Sequence, residues 1–191
     1  MTVFIVSNIY VRLALCLTLV ASTLIGQPTQ AQSNKSWTTV ASAGTVNEQD
    51  VNKIDLSGGG LASFSGAAAA NDTAFIRFNV TAVDGLFATG YPKMRVRYQD
   101  NGSSAQVVVS LMELDLTTGL PKKILELDSN NFAAAPSLQV QQTADCAAYP
   151  NTFDFTNKAY YIEARLVRTA AGGFPRLAAI QLFTVSTTCM T

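Results

Sequence analysis

The stretch Lys158–Arg168 reads Lys-Ala-Tyr-Tyr-Ile-Glu-Ala-Arg-Leu-Val-Arg, and its apolar residues recur at every second position. Tyr160, Ile162, Ala164 and Leu166 share one side of an extended chain; Tyr161, Glu163, Arg165 and Val167 share the other. Successive strand side chains point to opposite faces, so a period of two is the pattern of a half-buried strand. Gly172-Gly173 and Pro175 then interrupt the chain before a second apolar run, Arg176–Val185. Two such runs around a Gly-rich break predict a closing hairpin. Its core side is Tyr160, Ile162, Leu166, Ile180 and Leu182.

The same alternation recurs upstream. In residues 74–83, Ile76, Phe78 and Val80 share a face opposite Arg77, Asn79 and Thr81. In residues 94–99, Met94, Val96 and Tyr98 point inward and Arg95, Arg97 and Gln99 outward. Asn101-Gly102 follows, the strongest short hairpin signal. With that dipeptide at the turn centre, Val96 faces Val107, Met94 faces Val109 and Tyr98 faces Ala105. Apolar residues stay with apolar residues in this register. Thr117-Thr118-Gly119 reads as a three-residue loop with glycine in the left-handed position. It sets Leu111 against Leu125, Val109 against Leu127 and Glu113 against Lys123. Residues 94–128 therefore predict a three-stranded meander. Shorter strands are expected at 37–40, 51–56, 61–65 and 137–143, the last with Leu138 and Val140 inward. Residues 67–70 and 143–156 read as loops.

Roughly eight to ten short strands, with turn signals between them and no helix after the N-terminus, predict an all-β chain. The expected architecture is a two-sheet antiparallel β-sandwich, jelly-roll-like or immunoglobulin-like, forming one domain over residues 32–191.

The N-terminal segment has a different composition. Arg12 precedes an uncharged apolar run at 13–26, then Gln27-Pro28-Thr29-Gln30-Ala31. One positive charge, an apolar run and small residues at Thr29 and Ala31 predict a secretory signal peptide over 1–31. The run is short for a membrane span, which needs ~20 residues. The expected location is secreted or cell-surface/periplasmic, with no membrane partner after signal removal. Cys16 would leave with the signal, so Cys146 and Cys189 remain. An even pair in an exported chain predicts one disulfide, worth about 3–4 kcal/mol in the loop-entropy account.

The chain has 191 residues and no histidine. That removes Ser-His-Asp and Cys-His constellations, His-ligated zinc and the commonest general base. There is no Gly-x-Ser-x-Gly, no Ser-x-x-Lys and no phosphate loop opening a helix. Charged residues make up 14 % and the formal net charge is zero, so the electrostatic footprint of a nucleic-acid binder is missing. No enzyme activity, cofactor or metal site is expected. Asp100-Asn101-Gly102 and Asp128-Ser129-Asn130-Asn131 offer oxygens suited to calcium, but these residue types also build turns, and turns are the expectation.

The function expected of such a chain is structural, adhesive or surface-binding, with a glycan or another surface protein as partner. The alternative is a carbohydrate-binding accessory module that stacks exposed aromatics on sugar rings. The candidate ligand-binding residues are Trp37, Tyr91 and Tyr161 for stacking, and Arg95 and Arg97 for polar recognition; Tyr149 is a further aromatic in a loop. In the meander register Val108 faces Arg95, and Asp128 and Glu126 join the same face, which makes an Arg/acid surface within one sheet.

Overall fold

The computed structural model of the chain describes residues 36–66, 68–82, 91–143 and 153–185. The predicted signal peptide, Tyr149, Cys146 and Cys189 lie outside the described residues. Among the described residues, eleven strands form two antiparallel sheets. The six-stranded sheet contains β1 (Trp37–Val40), β3 (Ile54–Leu56), β4 (Ala62–Phe64), β6 (Tyr91–Asp100), β9 (Ala135–Gln142) and β11 (Arg176–Val185). Its order is β3-β4-β11-β6-β9, with β1 also pairing with β11. The five-stranded sheet contains β2 (Thr45–Val46), β5 (Asp72–Val80), β7 (Ala105–Asp115), β8 (Pro121–Asp128) and β10 (Lys158–Arg168), ordered β2-β5-β10-β7-β8. The predicted two-sheet sandwich is the observed architecture.

Alternation decides which side chains form the core. From the five-stranded sheet come Ile76, Phe78, Val107, Val109, Leu111, Leu125, Leu127, Ile162 and Leu166. Met94, Val96, Tyr98, Leu177, Ile180 and Leu182 meet them from the other sheet. Each large aliphatic side chain removed from water contributes about 1.5–3 kcal/mol, and this inner layer is the main source of cohesion. Phe153 and Phe155 pack around Tyr160 at the edge of the core, with the Phe153 and Tyr160 rings stacked at 3.9 Å between centroids.

The β7–β8 hairpin follows the predicted register where it is regular. Leu111 faces Leu125, Val109 faces Leu127, and Gly119 has φ +69°. A bulge between Leu111 and Met112 then shifts the ladder by one, so Glu113 faces Lys122 instead of Lys123.

The other two expected hairpins are crossovers. β6 pairs with β11 and β9 and lies in the opposite sheet from β7, so the Val96–Val107 register does not form. A type I′ turn needs positive φ at both central residues. Gly102 has it, at φ +127°, but Asn101 does not. The Asn101 side chain instead donates to Gly172 O (2.8 Å) and accepts from Phe174 N (2.7 Å). Those two residues belong to the link between β10 and β11, which also joins opposite sheets. Thr169 N donates to Ser104 O at 3.0 Å, and Thr169 Oγ1 donates to Ser103 O at 3.0 Å. The two crossovers thus brace one another at one end of the sandwich.

Smaller differences have local causes. Only Ile54–Leu56 of the expected 51–56 strand is extended; Glu48–Lys53 is a 3-10 turn fastened by Asp50, whose carboxylate accepts from Phe75 N and Lys53 Nζ. Val140 is 51 % exposed and points outward, because it pairs with outward-facing Arg97 on edge strand β9.

Candidate ligand-binding face

In β6 the residues Pro92, Met94, Val96 and Tyr98 are buried, so Tyr91, Lys93, Arg95 and Arg97 alternate onto the solvent side. Antiparallel pairing sets each beside a β11 residue of the same face: Tyr91 beside Val185, Lys93 beside Phe183, Arg95 beside Gln181 and Arg97 beside Ala179. On the other flank β9 places Gln142 beside Arg95 and Val140 beside Arg97. β1 adds Thr38 beside Gln181. The result is a continuous row, Thr38–Gln181–Arg95–Gln142, crossing four strands.

Arg95 is the hub of this row. Its guanidinium donates to Gln181 Oε1 at 3.3 Å and to Gln142 Oε1 at 3.5 Å, and its Cζ lies 4.9 Å from the Phe183 ring centroid. Cation–π attraction to the ring adds to the two hydrogen bonds in fixing the guanidinium plane. Gln181 Nε2 in turn donates to Ser36 Oγ at 3.3 Å.

Three of the five candidates, Tyr91, Arg95 and Arg97, therefore share one face. Trp37 is in the same sheet but faces inward opposite Leu182, with 8 % exposure, and its ring packs in the core. Tyr161 is half-buried on the outer side of the five-stranded sheet, with Arg77 Cζ 6.0 Å from its ring centroid. The expected Arg/acid surface does not form. Glu126 and Asp128 are in the five-stranded sheet, and Val108 faces Arg165 and Asp128 in place of Arg95. Sequence reasoning missed Gln142, Gln181 and Phe183. The alternation that put Ile180 and Leu182 inward already sent Gln181 and Phe183 outward, but only the β6–β11 pairing brings them to Arg95.

The opposite sheet presents three ion pairs among the described residues, besides the exposed Arg165. Arg77 Nη2 meets Glu163 Oε2 at 2.8 Å, Lys123 meets Glu126 at 2.7 Å, and Lys158 meets Glu113 at 2.6 Å. The hydrogen bond to Glu113 is the main cause raising the Lys158 ammonium above its ordinary value. Asp115 and Asp154 sit in turns. The backbone N–H groups of Thr118 and Thr117 hold Asp115 below the usual carboxylate range, and the Asn157 side chain does the same for Asp154. Both stay ionised at neutral pH, which suits turn stabilisation and not general-acid chemistry. Asp100 Oδ1 accepts from Gly102 N and Asp128 Oδ1 from Asn130 N, so both segments serve as the turns expected of them. Among the described residues no three His, Cys, Asp or Glu side chains converge as a metal site.

No protein-family model matches the chain, and no curated protein matches it. Among solved structures it is similar to a xylan-binding module CBM15, at 10 % identity and a TM-score of 0.47, covering 82 % of this chain and 100 % of that one. It is also similar to the CBM36-1 domain of a multidomain xylanase from the hindgut metagenome of Trinervitermes trinervoides (12 % identity, TM-score 0.41, 81 % of this chain and 100 % of that one). A third is TmCBM61 in complex with beta-1,4-galactotriose (10 %, 0.37, 78 % and 88 %). Likenesses this distant say nothing of ligand or activity.

Proposed function

We propose that this chain is an exported, non-catalytic β-sandwich that works by binding a surface, with a glycan held on the outer face of the six-stranded sheet. The observation that carries the reading is the row Thr38–Gln181–Arg95–Gln142. A hydroxyl, two amides and a guanidinium lie side by side, and together they supply donors and acceptors for vicinal sugar hydroxyls. Strands are about 4.8 Å apart, so the row spans about 14 Å, the scale of a short oligosaccharide. Tyr91 and Phe183 add ring surface towards one end of the face. Groups carried on strands hold their positions better than groups on loops, which suits recognition.

Supporting the non-catalytic part are the lack of histidine and the depressed turn carboxylates Asp115 and Asp154. Supporting export is the uncharged run at 13–26 behind Arg12. Mass spectrometry of the exported protein should find Gln32 as the first residue. Alkylation without reductant should leave Cys146 and Cys189 unmodified, as a disulfide requires.

The test is a glycan array probed with the full chain and with Gln181→Ala and Gln142→Ala. The expected result is binding that each variant weakens by about tenfold, the loss of one or two hydrogen bonds. A wild-type protein that binds no glycan, or variants that bind as well as wild type, would overturn the proposal.

A further inference from the structure

Resting on that reading, we infer that the glycan is anionic: a polysaccharide carrying uronate carboxylates or sulfates, recognised by the cations of β6. The first observation is segregation of charge. Across β1, β6, β9 and β11 the only acidic residue is Asp100, which is 3 % exposed and faces away from the row, held by Ser129 and Gly102 N. The same strands send Lys93, Arg95 and Arg97 to one side. The acid on the outer side of this sheet is Asp55, on β3, in the row of Arg176. The whole chain has zero net charge, so the basic face is a local arrangement and not a reflection of overall basicity.

The second observation is how the cations are held. On the five-stranded sheet Arg77, Lys123 and Lys158 are each matched by a carboxylate, and exposed Arg165 stands singly among the described residues, in a row with Phe75, Val108 and Asp128. Arg95 is oriented by two neutral amide oxygens and a ring, which fix its plane, and it has no ion pair among the described residues. Arg97 is exposed and has no ion pair among the described residues. Like charges close together on one face repel, and an anionic ligand relieves that repulsion. A guanidinium presents N–H donors in a fork that matches a carboxylate or sulfate, and Arg95 uses only part of its set on the glutamines. Alternate residues of β6 are about 6.8 Å apart, so Lys93 to Arg97 covers about 13 Å. That spacing suits a polymer with acidic groups repeated along its length. Three cations on a neutral chain fall short of a nucleic-acid surface.

The experiment is calorimetry of the full chain with polygalacturonate, carrageenan (a sulfated galactan without carboxylates), a neutral galactan and duplex DNA, at low and high sodium chloride. Wild type is compared with an Arg95→Ala/Arg97→Ala double variant and with Arg165→Ala, an exposed arginine on the opposite sheet. Thermal melts confirm that the variants are folded. The expected result is binding to one or both acidic glycans, and the stronger of the two tells carboxylate from sulfate. Binding should weaken by tenfold or more in high salt, which screens the charges, and about a hundredfold in the double variant, while Arg165→Ala binds as wild type. Equal affinity for the neutral galactan, unaffected by salt or by the double variant, would overturn the anionic ligand and leave the glycan reading standing. DNA bound as tightly as polygalacturonate would also overturn it, since the face would then read charge alone. No binding to any glycan would remove both.

Discussion

The Ser129 hydroxyl donates to Asp100 Oδ2 at 2.5 Å and accepts from Val107 N at 2.9 Å, tying the end of β6 to the turn after β8 and so one sheet to the other. Asp100 is 3 % exposed and Ser129 1 %. A buried carboxylate without its donor, and a buried N–H without its acceptor, each carry a desolvation cost. Ser129→Ala should therefore lower unfolding free energy by about 3 kcal/mol in urea melts. A loss within 0.5 kcal/mol would show that the link is dispensable.

The bracing of the two crossovers depends on Gly173. A Cβ there would collide with the Ser104 carbonyl oxygen, which is backbone and has little freedom to move. Gly173→Ala should cost about 3 kcal/mol, at the upper end of overpacking penalties. Gly172→Ala, where a Cβ meets nothing within 4 Å, is the matched control and should melt within a degree or two of wild type.

Tyr98 is fully buried and its hydroxyl has no hydrogen-bond partner among the described residues. Removing an unsatisfied buried group recovers its desolvation cost, so Tyr98→Phe should stabilise the protein by about 1 kcal/mol. Burial first, then the charges of Asp100 and Asp128, push the phenol up to about 12 from 10.0. A raised value in the folded state means its contribution is complete below pH 10.0 and is lost as pH rises from there to about 12. Wild type should lose stability across that window more steeply than Tyr98→Phe. Parallel pH curves would argue against a buried phenol.

On the acid side the sign is opposite. Asp115 is held below its ordinary value of 3.8 by the Thr118 and Thr117 amides. Its contribution is present above 3.8 and is lost as pH falls through the lower folded value. Asp115→Asn should therefore flatten the pH dependence of stability below pH 3.8 and leave the curve above pH 5 nearly parallel to wild type. Chemical melts at a series of pH values would check this.

What the sequence revealed was the facing of the long strands, though not of β9, where Val140 was expected inward and points outward. Alternation is local, and it placed Tyr160, Ile162, Met94, Val96, Ile76 and Phe78 on the core side, where they are. Partner choice is not local. A hairpin within a sheet and a crossover between sheets both turn the apolar sides of β6 and β7 towards one core, so the same pattern serves either. The Asn-Gly signal favoured the hairpin, and the contacts of Asn101 with Gly172 and Phe174, about seventy residues on, favoured the crossover. The candidate face was half legible for the same reason. Arg95 and Arg97 announced an outward side, but Gln142 and Gln181 come to Arg95 only through pairings that join distant segments.

Those distant pairings bear on how the chain acquires its structure. β10 is flanked by β5 and β7, and β11 by β6, β4 and β1, so the most C-terminal strands are interior members of both sheets. A growing chain that ends before Lys158 has its earlier strands but lacks the ones that join them. Ladders between such distant segments close slowly, on the scale of milliseconds to seconds for β-rich domains. Until residues 158–185 emerge, β5, β6 and β7 expose unpaired edges, which favour association between chains. The order of strands thus makes closure of both layers wait for β10 and β11.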